Sequence, residues 1–208
     1  MGSLHSAPAR GLTVIELMVV IALVGILVAL VAPSMRGLIS AQRVRGVSAE
    51  LVTDLQYARS EAARRNHDVR VGFQSSDTLS CYVAYVEPEA LAASGAASAG
   101  VNGGAASCDC SLTPGLNVCA GGREEIKTVQ VLRSTGVAFS ASSAAGPILN
   151  FGRRSGVQEP VPGASAPGEF EVSVTGTPRG QLRTSVNVAG RPSVCSPDAS
   201  ISGVPACP

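Results

Sequence analysis

The sequence predicts an α+β protein: one long N-terminal helix packed on an antiparallel β-sandwich or curled sheet of about six or seven strands. Three observations carry this expectation. Of the 21 residues from Leu12 to Ala32, only Thr13, Glu16 and Gly25 are not plainly apolar. Beyond Pro33, apolar residues recur every three or four positions as far as Ala62, the period of a helix with one buried face. After Asn66 the period changes to two, as in half-buried strands. The chain of 208 residues has 23 Gly and 13 Pro, only 3% aromatics and no Trp. That composition suits short strands and many turns, and the length suits one anchor and one domain of about 140 residues.

As a helix, Leu12 to Ala32 would rise about 31 Å, close to the hydrocarbon thickness of a bilayer, so a transmembrane helix is expected over 12–32. Glu16 lies a single turn from its start. A carboxylate costs about 2.5 kcal/mol or more at mid-membrane depth and less near an interface, so it asks for a partner. The polar leader Met1–Gly11 precedes the apolar run, whereas a secretory signal has its cleavage site after a shorter apolar core. Cleavage after Gly11 would leave the helix attached and create an ammonium group on Leu12, four residues before Glu16. The two charges could pair within one chain or between staggered neighbours. The plainer alternative is a single-pass anchor with an accidental glutamate. Met1–Ser6 also fits a myristoylation pattern, but so loose a pattern matches often by chance, and a spanning helix makes a lipid redundant.

Pro33 removes a backbone donor, and a kink is expected there. Val47, Leu51, Leu55, Ala58 and Ala62 then form one apolar face, with Glu50, Asp54, Arg59, Glu61, Arg64 and Arg65 largely between them. Helix should therefore run from about Thr13 to Arg65, with 33–66 as the amphipathic continuation of the anchor. Residues 67–208 form the β-domain. Strands are expected around Val69–Phe73, Cys81–Val86, 126–133, 136–140, 147–151, Phe170–Val174 and Leu182–Val188, with a turn at Gly176–Gly180. The Ala-, Gly- and Ser-rich stretch 88–122 reads as a long loop stapled by disulfides.

Six cysteines in a chain of this size indicate an oxidising compartment. The β-domain is therefore placed in the periplasm of a bacterium, with the leader cytoplasmic. Lys/Arg bias does not support that orientation, since only Arg10 precedes the helix while Arg36, Arg43 and Arg45 follow it. Cys195 is expected to join Cys207, and one of Cys108 or Cys110 to join Cys119, with Cys110–Cys119 as the assignment. Each bridge would contribute about 2–4 kcal/mol, mainly by restricting the unfolded chain.

No catalytic constellation is visible. His5 leaves with the leader, and a lone His67 cannot complete a Ser-His-Asp set or a His-rich metal site. Cys108, Cys110 and Cys119 match no standard zinc spacing, and the glycines form no phosphate-cradling loop. The expectation is a protein without enzyme activity, cofactor or metal. Formal net charge is +1, falling to zero when Arg10 is removed, which argues against bulk attraction to nucleic acid.

Gly11-Leu12-Thr13-Val14-Ile15-Glu16-Leu17-Met18-Val19-Val20 resembles the class III signal of type IV pilins and type II secretion pseudopilins. The resemblance implies a pilin-like fold, cleavage between Gly11 and Leu12 by a prepilin peptidase, N-methylation of Leu12, and docking through Glu16. Leu12 departs from the phenylalanine usual after the cut. In the second half, Asn150–Gly156, the paired strands, and Ala189–Cys195 resemble the GspH/FimT family, which includes FimT/FimU-type minor pilins and the H-type minor pseudopilin. The implied function is that of a minor pilin of a type IV pilus, a structural subunit that assembles or primes the filament and displays its β-domain. An H-type pseudopilin of type II secretion is the alternative, and a membrane-tethered periplasmic binding protein that is never assembled is a second one. Implied partners are other pilins or pseudopilins, the prepilin peptidase and the inner-membrane assembly platform, with the inner membrane as location before the filament. Some members contact DNA during uptake through Gly-Arg-x-Arg-x-Cys. Here Gly190, Arg191 and Cys195 match and Ser193 replaces the second arginine, so DNA enters only through Arg191 and Arg183, with Arg153, Arg154 and Arg179 as added charge.

Overall fold

The structure, a computed structural model, describes residues 13–89, 108–113, 118–142, 147–154, 156–159 and 169–208, without the side chains of 31–34 and 36. One helix, α1 (Val14–Arg65), runs continuously for 52 residues through Pro33. Thr13 caps it in extended conformation, its Oγ1 accepting from the Glu16 N–H at 3.3 Å, and Asn66 ends it in the left-handed region. Among the described residues no helical stretch is long and apolar enough to cross a membrane. Within the apolar run the side chains described extend to Leu30, while the run in the sequence continues to Ala32.

Eight strands follow: β1 (Val69–Ser75), β2 (Leu79–Val86), β3 (Glu124–Leu132), β4 (Val137–Ser142), β5 (Ile148–Phe151), β6 (Phe170–Gly176), β7 (Gln181–Val186) and β8 (Pro192–Cys195). They form two four-stranded antiparallel sheets, ordered β3-β2-β1-β5 and β4-β6-β7-β8. The eighth strand escapes a reading by alternation because it has only four residues and begins with Pro192, which an edge position tolerates.

The core lies where α1 meets the inner faces of both sheets. Val44, Leu51, Leu55, Ala58 and Ala62 are fully buried against Val71, Phe73, Tyr82, Phe139, Leu149, Phe151, Phe170 and Val174. The stripe on α1 begins at Val44, one turn earlier than the apolar pattern suggests. Ser48 interrupts that pattern, yet it is buried within hydrogen-bonding distance of the Thr184 hydroxyl at 3.5 Å. Phe73 centres an aromatic group, its ring 5.7 Å from Tyr82, 6.4 Å from Phe139 and 5.5 Å from Phe170. Tyr82 donates to Asp54 at 2.7 Å, and Lys127 bonds the same carboxylate, tying α1 to β2 and β3. Gly176 lets β6 reach the helix, since a Cβ there would lie 2.5 Å from Val44 Cγ2.

A second small core covers the outer face of the first sheet. Alternation along β2 turns Cys81, Val83 and Tyr85 outward, where they pack with Cys108, Cys110 and Val118 of the disulfide loop. This arrangement corrects the assigned Cys110–Cys119 bridge: Cys110 is bonded to Cys81, and Cys119 to Cys108. Because Cys81 points out of the sheet beneath the loop, it meets a cysteine 29 residues away, a closure that local spacing does not reveal. Cys195 and Cys207 are bonded as a short C-terminal loop.

At the C-terminal end of α1, Glu61 accepts from Arg64 at 2.8 and 2.7 Å and from Arg65 at 2.6 Å. These bonds, Arg64 first, lower the carboxyl pKa from 4.5 to about 2. A depressed carboxyl stabilises the fold above its unfolded pKa, and that contribution is lost as pH falls from about 4.5 through 2. Glu61→Gln should therefore unfold at lower urea than the parent at pH 6, with the gap closing toward pH 2. A gap independent of pH would refute the assignment.

Candidate functional site

The two halves of α1 have opposite surroundings. From Ser40 onward one face is buried in the domain, whereas every described side chain from Thr13 to Leu30 is exposed, including Val14, Ile15, Ile21 and Leu30. Continuous apolar exposure on this scale marks a surface meant for contact with lipid or protein. Glu16 stands in the first helical turn, where its charge favours the positive end of the helix dipole and its own N–H is capped by Thr13. Thr13-x-x-Glu16 is the spacing of a capping box, a signal present in the sequence that the apolar pattern overshadows. Gly11 and Leu12, the expected processing residues, lie outside the described residues.

Helix α1 also serves as a ruler for the β-domain. At the lower end of its buried half Ser40 donates to the Arg179 carbonyl at 2.7 Å, Arg43 to the Thr135 carbonyl at 2.7 Å, and Arg45 to the Ser202 carbonyl. At its upper end Arg59 Nε donates to the Gly156 carbonyl at 3.0 Å, and Arg65 pairs with Glu124 at 2.7 Å. Arg179 therefore belongs to the lower end and Arg191 to the upper end. The adjacent glycines mark the distance, because Gly180 lies against Ala41 and Gly190 beside Arg59 and Gly156. At 1.5 Å per residue these contacts are about 27 Å apart along α1.

Arg191 sits on a tight turn, its N–H donating to Asn187 Oδ1 at 3.0 Å. Gly190 adopts φ +70, and a Cβ there would fall 2.5 Å from the Gly156 carbonyl, so the glycine before Arg191 is required by close packing. Ser193, at the position of the missing second arginine, shares a 2.9 Å hydroxyl contact with Ser185. Arg183 projects from the outer face of β7 and pairs with Glu171 at 3.4 Å, about 10 Å down the strand from the turn. Arg153 pairs with Asp68 and Glu89. Of these five arginines, Arg154 and Arg191 adjoin the Gly156–Gly190 contact in sequence, and among the described residues neither is in a salt bridge. The structure does not gather the five arginines on one face.

Beneath the disulfide loop, Glu87 receives Arg123 bidentately at 3.0 and 2.9 Å and lies 3.2 Å from Arg70 Nη1. All three side chains are essentially buried. This cluster was missed because its members are 17 and 36 residues apart. Among the described residues no group of three or more His, Cys, Asp and Glu is placed to hold a metal ion.

Residues 48–190 match the family model of type II transport protein GspH, and residues 7–32 match the prokaryotic N-terminal methylation motif. Two crystal forms of the Pseudomonas aeruginosa type IV minor pilin FimU are similar at 17% identity. In space group P21 the match covers 74% of this chain and 88% of that chain with a TM-score of 0.45. In space group P65 it covers 72% and 90% with a TM-score of 0.42. No curated protein matches the chain.

Proposed function

The chain belongs to the GspH family, and from that membership we propose that it is a minor pilin: a non-enzymatic structural subunit of a type IV pilus that assembles through α1 and displays the β-domain. The observation that carries this reading is the division of α1, whose first half is bare and apolar with one carboxylate in its first turn. The sequence of events begins with insertion in the inner membrane, leader inside and β-domain in the periplasm. A prepilin peptidase cuts between Gly11 and Leu12 and methylates the new amine; the methylation motif over residues 7–32 supports this step. The helix then leaves the lipid for a core of other pilins, where Glu16 pairs with a terminal ammonium in place of water. The match to a type II transport protein family favours a second reading, an H-type pseudopilin in type II secretion. Deletion separates the two, since a pilin's loss removes surface filaments and a pseudopilin's loss retains exported enzymes in the periplasm.

Intact-mass measurement of the chain from its host is the test of processing. Loss of residues 1–11 and gain of one methyl are expected. A chain retaining its leader would overturn the proposal in favour of an unassembled, membrane-tethered binding protein.

A further inference from the structure

Assembly through α1 leaves Arg36, Arg43 and Arg45 without a task, and cations are unusual just outside a span on its periplasmic side. Folding adds more positive charge at the same level. The short helical turn Arg133–Thr135 touches the β6–β7 turn, where Thr177 N–H donates to the Gly136 carbonyl at 2.8 Å. Both turns flank α1, since Arg43 donates to the Thr135 carbonyl and Ser40 to the Arg179 carbonyl. Arg43, Arg133 and Arg179 are exposed, and Arg45 is half-buried. Their side-chain bonds go to neutral oxygens: Arg43 to Thr135, Arg45 to Ser202, and Arg133 to the Ser75 hydroxyl at 2.8 Å. Among the described residues none of the four is in a salt bridge.

Two carboxylates share this end. Asp77 lies in the β1–β2 turn, whose Thr78 carbonyl accepts from Arg133 N–H, and Asp198 is turned back on Ser196 and Ser200. Apart from Arg10 in the leader, every Lys, Arg, Asp and Glu of the chain falls within the residues described. The base of the domain therefore holds five arginines, counting Arg36 one turn before Ser40, against two aspartates. It also continues the apolar surface of the anchor. Met35, Leu38 and Ile39 lie beyond Ala32 yet remain 46%, 54% and 48% exposed. Ile39 stands about 10 Å past Ala32 along the helix, slightly more than the depth of one headgroup layer. The arginines thus begin where the lipid-compatible surface ends.

We propose that this basic base docks on the anionic phosphate headgroups of the periplasmic leaflet while the subunit is stored in the inner membrane. The inference rests on the membrane-anchored stage of the proposed function. Charge complementarity and continuity with the anchor carry it. Clustered arginines beside an apolar span meet an anionic surface within a Debye length, roughly 8 Å at physiological salt. Each guanidinium offers forked donors that match phosphate oxygens. Extraction into a filament has to break this contact, so the base retains the subunit in the membrane until assembly.

Electron spin resonance of spin-labelled lipids tests the docking with the full chain in phosphatidylcholine bilayers. Labelled phosphatidylglycerol should be immobilised at the protein at least threefold more than labelled phosphatidylcholine at low salt. That preference should vanish at about 1 M salt, where screening is nearly complete. Arg133→Gln combined with Arg179→Gln should at least halve it while keeping the urea midpoint. Arg179→Gln alone, which removes no side-chain hydrogen bond among the described residues, supplies a second arm with a smaller loss in the same direction. Equal retention of the two lipids, or a preference that survives both salt and the substitutions, overturns the docking proposal while leaving the anchor intact. No immobilised lipid of either kind overturns the membrane-anchored stage as well. Unchanged lipid selectivity with reduced filament entry in the double variant assigns the arginines to an acidic neighbouring subunit and overturns the lipid proposal.

Discussion

Replacing Glu87 with alanine is expected to destabilise the β-domain by about 3–5 kcal/mol, the usual effect of leaving buried charges without their partner. Glu87 is the carboxylate between Arg70 on β1 and Arg123 just before β3, and all three side chains have at most 2% exposure. Removing it strands two guanidinium groups beneath the disulfide loop, where water cannot replace the lost bonds. Its own backbone N–H holds the Asp68 carbonyl at 2.9 Å, so the end of β2 should loosen as well. Urea unfolding at neutral pH measures the loss. The triple replacement Arg70→Met, Glu87→Leu, Arg123→Met should recover most of it, because apolar side chains of similar volume remove both charge and desolvation. A loss below about 1 kcal/mol for Glu87→Ala would mean that the cluster is solvated and the loop is held by its disulfides alone.

Glu16→Ala is expected to leave folding and leader cleavage unchanged yet reduce incorporation into filaments at least tenfold. The domain does not touch this side chain, which stands exposed in the first turn of α1. Its local contribution through the helix dipole is only about 0.3–1 kcal/mol. Inside an apolar filament core the same carboxylate would face a terminal ammonium at low dielectric, where the pairing is much stronger than in water. Glu16→Gln separates the two contributions, since it keeps size and polarity while removing charge. Quantifying the subunit in sheared filaments against total membrane-bound protein is the measurement. A glutamine variant that assembles normally would show that polarity, not charge pairing, is what the core requires.

Much of α1 is readable directly from residue order. Periods of 3.6 and then 2.0 arise from backbone geometry, so the helix end at Arg65 and most strands are placed within a few residues by local pattern. Glu16 stands out because an ionisable group in an apolar run is expensive wherever that run is buried. Cys195–Cys207 is similarly local, separated by 12 residues around a turn. By contrast, Ser48 hides one turn of the buried stripe, and Pro192 hides β8, because each breaks a pattern that the packed structure tolerates by supplying a hydroxyl partner or an edge position.

The sequence by itself determined the two-part helix, the change to strands and the candidate processing and assembly residues, all of which depend on neighbours within a few positions. Only the tertiary structure decided that Cys81 meets Cys110, that a second core with a buried Arg–Glu–Arg cluster covers the outer sheet face, and that Arg179 and Arg191 sit at opposite ends of the buried part of α1. The physical reason is the same in each case. Periodicity says which way a side chain points from its own element, but what it meets depends on loop closures across tens of residues, which the pattern does not encode.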